Sequence, residues 1–379
     1  MNFNPLDEFL CSLEKRGKSG TDCAVYLDGR QVHRHMHGLA DRENGISINE
    51  ETLYRMFSMT KPITCVAMLQ LYEQGKFLMT DPVGTYLPEL AHMAVAHHLQ
   101  AESAPITMQQ LFTMTSGLSY NLEDEALQTL YREKPNSFTT RDFARAVGRT
   151  PLLFQPGEHW YYSLAHDVLA ACVEVLSGMR FSDYLKKYLF DPLEMKDLYF
   201  HVPQSQLYRS CVRYRYDAAS ATFLREVTDT DTLRFNTYQR SENFESGGAG
   251  LSTTLAEYAK FANMLTGLGV GANGKRVIAA STLNLMRENQ LTPEQLCDFN
   301  WTQFRGYGYG LGVRTLLNRA QAGSAGAVGE YGWGGAAGTY FLSDPARRLT
   351  VLYCQQATPN DEAYVHPRLR NIVYASLEH

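Results

Sequence analysis

Apolar residues along this chain change their spacing several times, and the changes sort it into strand-rich ends and a helical middle. Residues 5–16 place Leu6, Phe9, Leu10 and Leu13 at helical spacing, which predicts a short amphipathic helix. Two β-type runs follow, Asp22–Leu27 and Gln31–His37. The turn residues Asp28-Gly29-Arg30 between them predict a hairpin. Residues 59–75 carry apolar side chains almost all round, which predicts a buried helix ending at Gly75. Pro62 falls in its first turn, where a missing N–H costs least. Further helices are expected over Thr107–Thr113, Arg141–Gly148, Leu164–Gly178, 183–190, Leu255–Leu265, Ser281–Glu288 and Pro367–Ser376. Strand patterns return at Gly308–Thr315, Tyr331–Gly334, Gly338–Ser343 and Arg348–Cys354. Between 204 and 245 periodicity fades, while Tyr208, Tyr214, Tyr216, Phe223, Phe235, Tyr238 and Phe244 lie among many charges. Such a stretch is expected to form a lid or binding loop.

Strands from both ends and helices between them imply an α/β (α+β) fold. In this reading 1–80 and 246–376 share one antiparallel sheet with its flanking helices. Residues 81–245 form an inserted, mainly helical domain with the lid-like 204–245, and a pocket is expected where the two parts meet. Residues 377–379 resemble the start of a purification tag and are set aside.

Composition adds exclusions. At 379 residues, 44% hydrophobic and 20% charged, the chain has the make-up of a soluble globular protein. A net charge of −5 gives no reason to expect nucleic acid or an anionic membrane as partner, and no apolar run reaches the length of a membrane span. Seven scattered cysteines without a Cys-x-x-Cys pair suggest reduced core thiols in a cytoplasmic protein. His33, His35 and His37 alternate along one strand face, expected to be solvated rather than metal-binding. No metal or cofactor site is expected, since neither His-Glu-x-x-His nor a phosphate-binding loop of the Walker kind occurs. No motif sets the oligomeric state.

Candidate chemistry begins at Ser58-Met59-Thr60-Lys61. A serine hydroxyl needs a neighbouring base to become a nucleophile, and a lysine three residues on along a helix lies on the same face. Ser12-Leu13-Glu14-Lys15 has the same spacing, but inside an exposed amphipathic helix, where a solvated face is the better reading. Ser58 stands at the start of the 59–75 helix, where free N–H groups and the helix dipole favour negative charge. Its backbone N–H can therefore donate to an oxyanion, and the same positive end with burial is expected to lower the Lys61 pKa.

The stretch Leu53-Tyr54-Arg55-Met56-Phe57-Ser58-Met59-Thr60-Lys61-Pro62 resembles the nucleophile segment of class C β-lactamases and the family VIII carboxylesterases. The likeness extends in order through Asp81-Pro82-Val83, Tyr86-Leu87-Pro88-Glu89, Leu111–Leu118, Gln155-Pro156-Gly157, Trp160-Tyr161-Tyr162-Ser163, Gly247–Thr253, Tyr307–Gly312 and Gly332-Trp333-Gly334-Gly335. The resemblance implies a β-lactamase/transpeptidase-like fold with Tyr162 beside Ser58 and Lys61, Tyr161 being the neighbour in the competing register. It implies Ala336, after Gly335, as the second oxyanion donor. Tyr120, Trp160, Leu164, Trp333, Gly334 and Gly335 are the expected substrate-side residues.

Two departures bear on substrate. Leu164 stands where family lactamases have the Asn of Tyr-x-Asn, and Trp333-Gly334-Gly335 replaces Lys/His-Thr-Gly. Neither Trp333 nor Gly334 offers a group for a substrate carboxylate, which favours neutral acyl substrates. The expected function is a serine carboxylesterase acting through an acyl-enzyme on small esters. The alternatives are a β-lactamase or D-amino-acid peptidase acting on amides, and, in another class, a catalytically silent ligand-binding homologue.

Overall fold

The computed structural model describes residues 1–96, 100–101, 104–226 and 241–378. Its centre is one antiparallel sheet of eight strands. In spatial order they are Tyr307–Tyr309, Arg314–Leu316, Tyr331–Gly334, Tyr340–Asp344, Leu349–Cys354, Gly20–Leu27, Arg30–Asp41 and Ile46–Ser47. The strands from the two ends of the chain meet in the middle, with Cys23 opposite Tyr353 and Val25 opposite Val351.

Both faces of the central strands are buried. Cys23, Val25, Tyr340, Leu342, Leu349, Val351 and Tyr353 face a core closed by Leu6, Leu10, Val365, Leu369 and Val373 from the helices Asn4–Ser12 and Glu362–Glu378. Their strand neighbours Ala24, Tyr26, Phe341, Leu352 and Cys354 face the larger core on the other side, with Ile63, Val66, Tyr258, Phe261 and Ala262. Two-sided burial explains why these strands read as nearly continuous apolar runs instead of alternating. The helix Thr60–Glu73 is buried from Thr60 to Leu71, as its all-round apolar pattern requires, and it packs against the helix Ala165–Ser177.

Several elements differ from the sequence expectation. The run 308–315 is two strands, broken where the Gly310 N–H donates to the Val313 carbonyl at 2.8 Å. Gly312 there has φ +85°, and a Cβ on it would lie 2.4 Å from Cys65 Sγ, so the turn both needs glycine and seats on the nucleophile helix. Within the faded stretch, Tyr214–Asp217 and Thr222–Arg225 form a hairpin whose first strand also pairs with Ala357–Thr358. Phe235 and Tyr238 lie outside the described residues. The last helix continues through Glu378, and Leu377 packs on the outer core.

The histidine face is not solvated as expected. The helix Asn4–Ser12 lies across it, so Phe3 stacks on His33 with ring centroids 4.5 Å apart, and Asp7 and Cys11 reach the same row. All seven cysteines are unbridged. Among the described residues no helix is long and apolar enough to cross a membrane.

Candidate active site

Ser58 sits in the 3₁₀ turn Phe57–Met59 that leads directly into the helix Thr60–Glu73. Phe57, just before it, has φ +47°, a left-handed conformation that costs an aromatic residue about 1–3 kcal/mol. The surroundings hold it there. The Met56 N–H donates to the Leu251 carbonyl at 2.8 Å and the Leu251 N–H to Thr60 Oγ1 at 3.1 Å. Tyr258 donates its hydroxyl to the Met59 carbonyl at 2.7 Å. Ser58 is thus presented at a helix start by a turn fixed on both sides.

Lys61 is fully buried, with Nζ 3.4 Å from Ser58 Oγ and donating to the Gly248 carbonyl at 2.8 Å. The ammonium lies 4.5 Å from the centre of the Tyr162 ring and 5.4 Å from that of Tyr120, and these two rings stack at 5.6 Å with planes 5° apart. One further charge is near. Asp167, buried in the helix Ala165–Ser177, accepts from Ser246 Oγ and from the Gly248 N–H. Burial alone lowers the Lys61 pKa, as expected from its position. The acidic groups Tyr120, Tyr162 and Asp167 beside it, together with a hydrogen bond to Tyr162, outweigh burial and the net shift is upward. This reverses the expectation of a lysine poised as neutral base: the site favours the ammonium form. Burial also pushes the Asp167 carboxyl above its usual range, against the pull of Lys61 and its two hydrogen-bond donors.

Tyr162 is half-buried against Lys61, whereas Tyr161 is 47% exposed, so the two registers are physically distinct. The Trp333 indole Nε1 donates to the Tyr162 hydroxyl at 3.3 Å. Around this pair the rings interlock. Trp160 and Trp301 meet edge to face at 5.6 Å, Trp301 meets Tyr162 at 5.6 Å, and Phe304 stacks on Trp333 at 5.3 Å. Tyr309 and Phe299 complete the wall.

The strand Tyr331–Gly334 ends beside the nucleophile turn. Gly335 donates its N–H to the Thr339 carbonyl at 2.7 Å, and Thr339 Oγ1 donates to the Met56 carbonyl at 3.1 Å. A Cβ on Gly335 would lie 2.4 Å from that same Met56 carbonyl, so only glycine allows the approach. Ala336 follows, exposed at the turn. Its carbonyl accepts from Asn360 Nδ2 at 3.1 Å, and its N–H takes part in none of these bonds.

Of the sequence-derived residues, the structure therefore brings Ser58, Lys61, Tyr120, Tyr162, Trp160 and Trp333 together, with Gly335 and Ala336 on the adjoining turn. Gly334 is half-buried, and a Cβ on it would lie 3.2 Å from the Thr339 carbonyl. Leu164 is 2% exposed and packs in the core at the start of its helix, so it adds no polar group. Sequence reasoning missed Asp167, the Gly248 carbonyl and the rings of 299–309. The aromatic spacing of Phe299, Trp301 and Phe304 was the available signal, but it matches neither helix nor strand period.

Comparison with known proteins gives the family and the fold. The beta-lactamase family profile matches residues 7–375. Esterase EstB of Burkholderia gladioli is 30% identical over 357 residues, covering 90% of this chain and 86% of that protein. Among solved structures, EstCE1, described as a hydrolase with promiscuous acyltransferase activity, superposes with TM-score 0.80 at 23% identity, covering 98% of this chain and all of that one. Simvastatin synthase LovD from Aspergillus terreus also gives 0.80, at 21% identity and coverages of 99% and 98%. The chain belongs to the beta-lactamase family and is a serine hydrolase.

Proposed function

We propose that this chain is a carboxylesterase that hydrolyses small neutral esters through an acyl-enzyme on Ser58. The observation that carries the reading is the Trp333–Tyr162 contact: an indole and a wall of rings line the side of the site where a cationic or hydroxyl group would be needed to hold a substrate carboxylate. Such a wall favours an uncharged acyl group, since burying an unpaired carboxylate there is costly. The name of the relative EstB points the same way.

Lys61 stays an ammonium, and Tyr162, with its ring centre 4.5 Å from that charge, acts as the base in its deprotonated form. The phenolate takes the Ser58 proton as Oγ bonds to the ester carbonyl carbon. The carbonyl oxygen, now negative, is held by the backbone N–H groups of Ser58 and Ala336. Tyr162 returns the proton to the departing alkoxide as the carbon–oxygen bond breaks, leaving the acyl group on Ser58. Water then repeats the sequence and releases the acid. Each oxyanion donor is worth about 10²–10³ in rate and the base about 10²–10⁴.

Short p-nitrophenyl esters and nitrocefin, assayed side by side, test the reading. Ester kcat/KM should exceed lactam kcat/KM by about 100-fold or more, the scale on which a site lacking the needed polar partners discriminates. Ser58→Ala should lower ester turnover by about 10⁴-fold or more. Tyr162→Phe should lower kcat by about 10²–10⁴ with little change in KM. Equal ester and lactam turnover, or a Ser58→Ala variant that keeps its activity, rejects the proposal.

A further inference from the structure

On the outer face of the sheet, Cys11 of the first helix meets His35 and His37 of the strand Arg30–Asp41. Cys11 Sγ lies 3.4 Å from His35 Nε2 and 3.6 Å from His37 Nδ1, and the three atoms are all within 4.8 Å of one another. Zinc bound tetrahedrally by sulfur at about 2.3 Å and nitrogen at about 2.0–2.1 Å has an S···N edge of about 3.5 Å. Both sulfur–nitrogen distances match that edge. The two imidazoles project from alternate positions of one strand, with ring planes 19° apart and centroids 6.4 Å apart. The N···N separation, within 4.8 Å, has to contract to a tetrahedral edge of about 3.3 Å when a metal binds.

The opposite ring nitrogens make the stronger case. His35 Nδ1 lies 3.3 Å from Asp7 Oδ1, and His37 Nε2 lies 3.4 Å from Glu14 Oε2. Each candidate ligand thus has a carboxylate on the nitrogen away from the sulfur. In metal sites the nitrogen away from the metal donates its proton to such a carboxylate. Here both are ion-pair separations, and His37 Nε2 makes no hydrogen bond among the described residues, so each contact has to shorten when a metal binds. His33 is differently engaged, with Nε2 2.7 Å from Asp7 and its ring stacked on Phe3, so it orders Asp7 and is no ligand. The three ligands are partly buried, which leaves a fourth position open to water.

We propose that Cys11, His35 and His37 form a site for a thiolate- and imidazole-binding divalent metal of the zinc type, separate from Ser58. On binding, the Cys11 thiol releases its proton to solvent and the thiolate and two neutral imidazoles donate to the metal. Asp7 and Glu14 supply compensating negative charge. The ligand set of one sulfur and two nitrogens fits zinc, or cobalt in its place, and not calcium or magnesium. The metal would fasten the first helix to the strand beneath it.

The test uses the full chain, stripped with chelator and titrated with Co²⁺, then Zn²⁺. One cobalt per chain should bind with a near-ultraviolet thiolate-to-metal band, and zinc should displace it. Cys11→Ser should abolish that band and weaken zinc binding about tenfold or more in competition with a chromogenic chelator. The double variant His35→Gln/His37→Gln should weaken it further, and Asp7→Asn by about tenfold. Ester hydrolysis and circular dichroism should be unchanged in Cys11→Ser; if that variant is misfolded, Cys11→Ala replaces it. Cobalt binding without the thiolate band overturns the proposal. So does zinc binding that is equal in wild type and in the double histidine variant, or wild-type binding too weak to survive dialysis.

Discussion

This chain carries a serine three residues before a lysine in two places. At the first, Ser12 Oγ donates to the Phe9 carbonyl at 2.6 Å within its own turn, and both Ser12 and Lys15 are exposed. At the second, Lys61 Nζ reaches Ser58 Oγ and the Gly248 carbonyl, against two stacked tyrosines and near the buried Asp167. Spacing is the same, and the surroundings set the chemistry. An exposed ammonium is screened by water and does little to its neighbours. A buried one must be met by polar partners, and here they are Ser58 Oγ, the Gly248 carbonyl and the faces of two tyrosine rings.

Alanine at each lysine breaks the comparison most directly. Lys61→Ala should cut ester kcat by about 10³-fold or more, because the phenolate loses its partner. Lys15→Ala should leave kcat within about twofold and stability within about 0.5 kcal/mol. Comparable losses from both would mean that burial does not distinguish the segments. The surroundings can be tested without touching either. Asp167→Ala leaves Ser246 Oγ and the Gly248 N–H without their buried acceptor, and should cost about 2–4 kcal/mol in urea unfolding. Replacing Asp124, which caps an exposed helix by accepting from the Ala126 N–H, should cost only about 1 kcal/mol.

A pH-dependent effect concerns the far side of the aromatic wall. Glu362 accepts from Gln303 Nε2 at 2.6 Å, and burial raises its pKa from 4.5 to about 7. The native state therefore holds this proton between those values while the unfolded chain releases it. Stability from this group is present below pH 4.5 and lost as pH rises towards 7. The loss is at most about 3 kcal/mol, nearer 2 once partial exposure is allowed for. Thermal melts of Glu362→Gln against wild type across that range should show a flatter pH dependence and a more stable variant at pH 8.

Most elements were legible because burial on one face or all round leaves a period in the sequence. The helix Thr60–Glu73 and the strand Tyr331–Gly334 stand where the pattern puts them. The Ser58–Lys61 spacing was local and therefore readable, and Tyr162 came through family likeness, since any one of 23 tyrosines could pack in a core. What escaped was long-range or aperiodic. Asp167 is one acidic residue in an apolar helix, and nothing local says its partners are Ser246 and Gly248. The pairing of Cys11 with His35 and His37 depends on a helix lying over a strand. A period-2 pattern reports which side chains share a face, not what covers it. The Lys61 pKa was misread for the same reason: its direction is set by residues distant in sequence.

The order of the sheet has a consequence for how the protein is made. The strand Gly20–Leu27 pairs with Leu349–Cys354, and the nucleophile turn is closed by Thr339. Emerging from the ribosome, the first part of the chain carries Ser58 and Lys61 long before the segment that seats Gly335 and Ala336 exists. The early strand must wait with an unpaired edge, a state that folds slowly and invites aggregation. Hydrolysis is therefore expected only after residues 331–354 have been made, and its onset in a translation reaction would time the arrival of those strands.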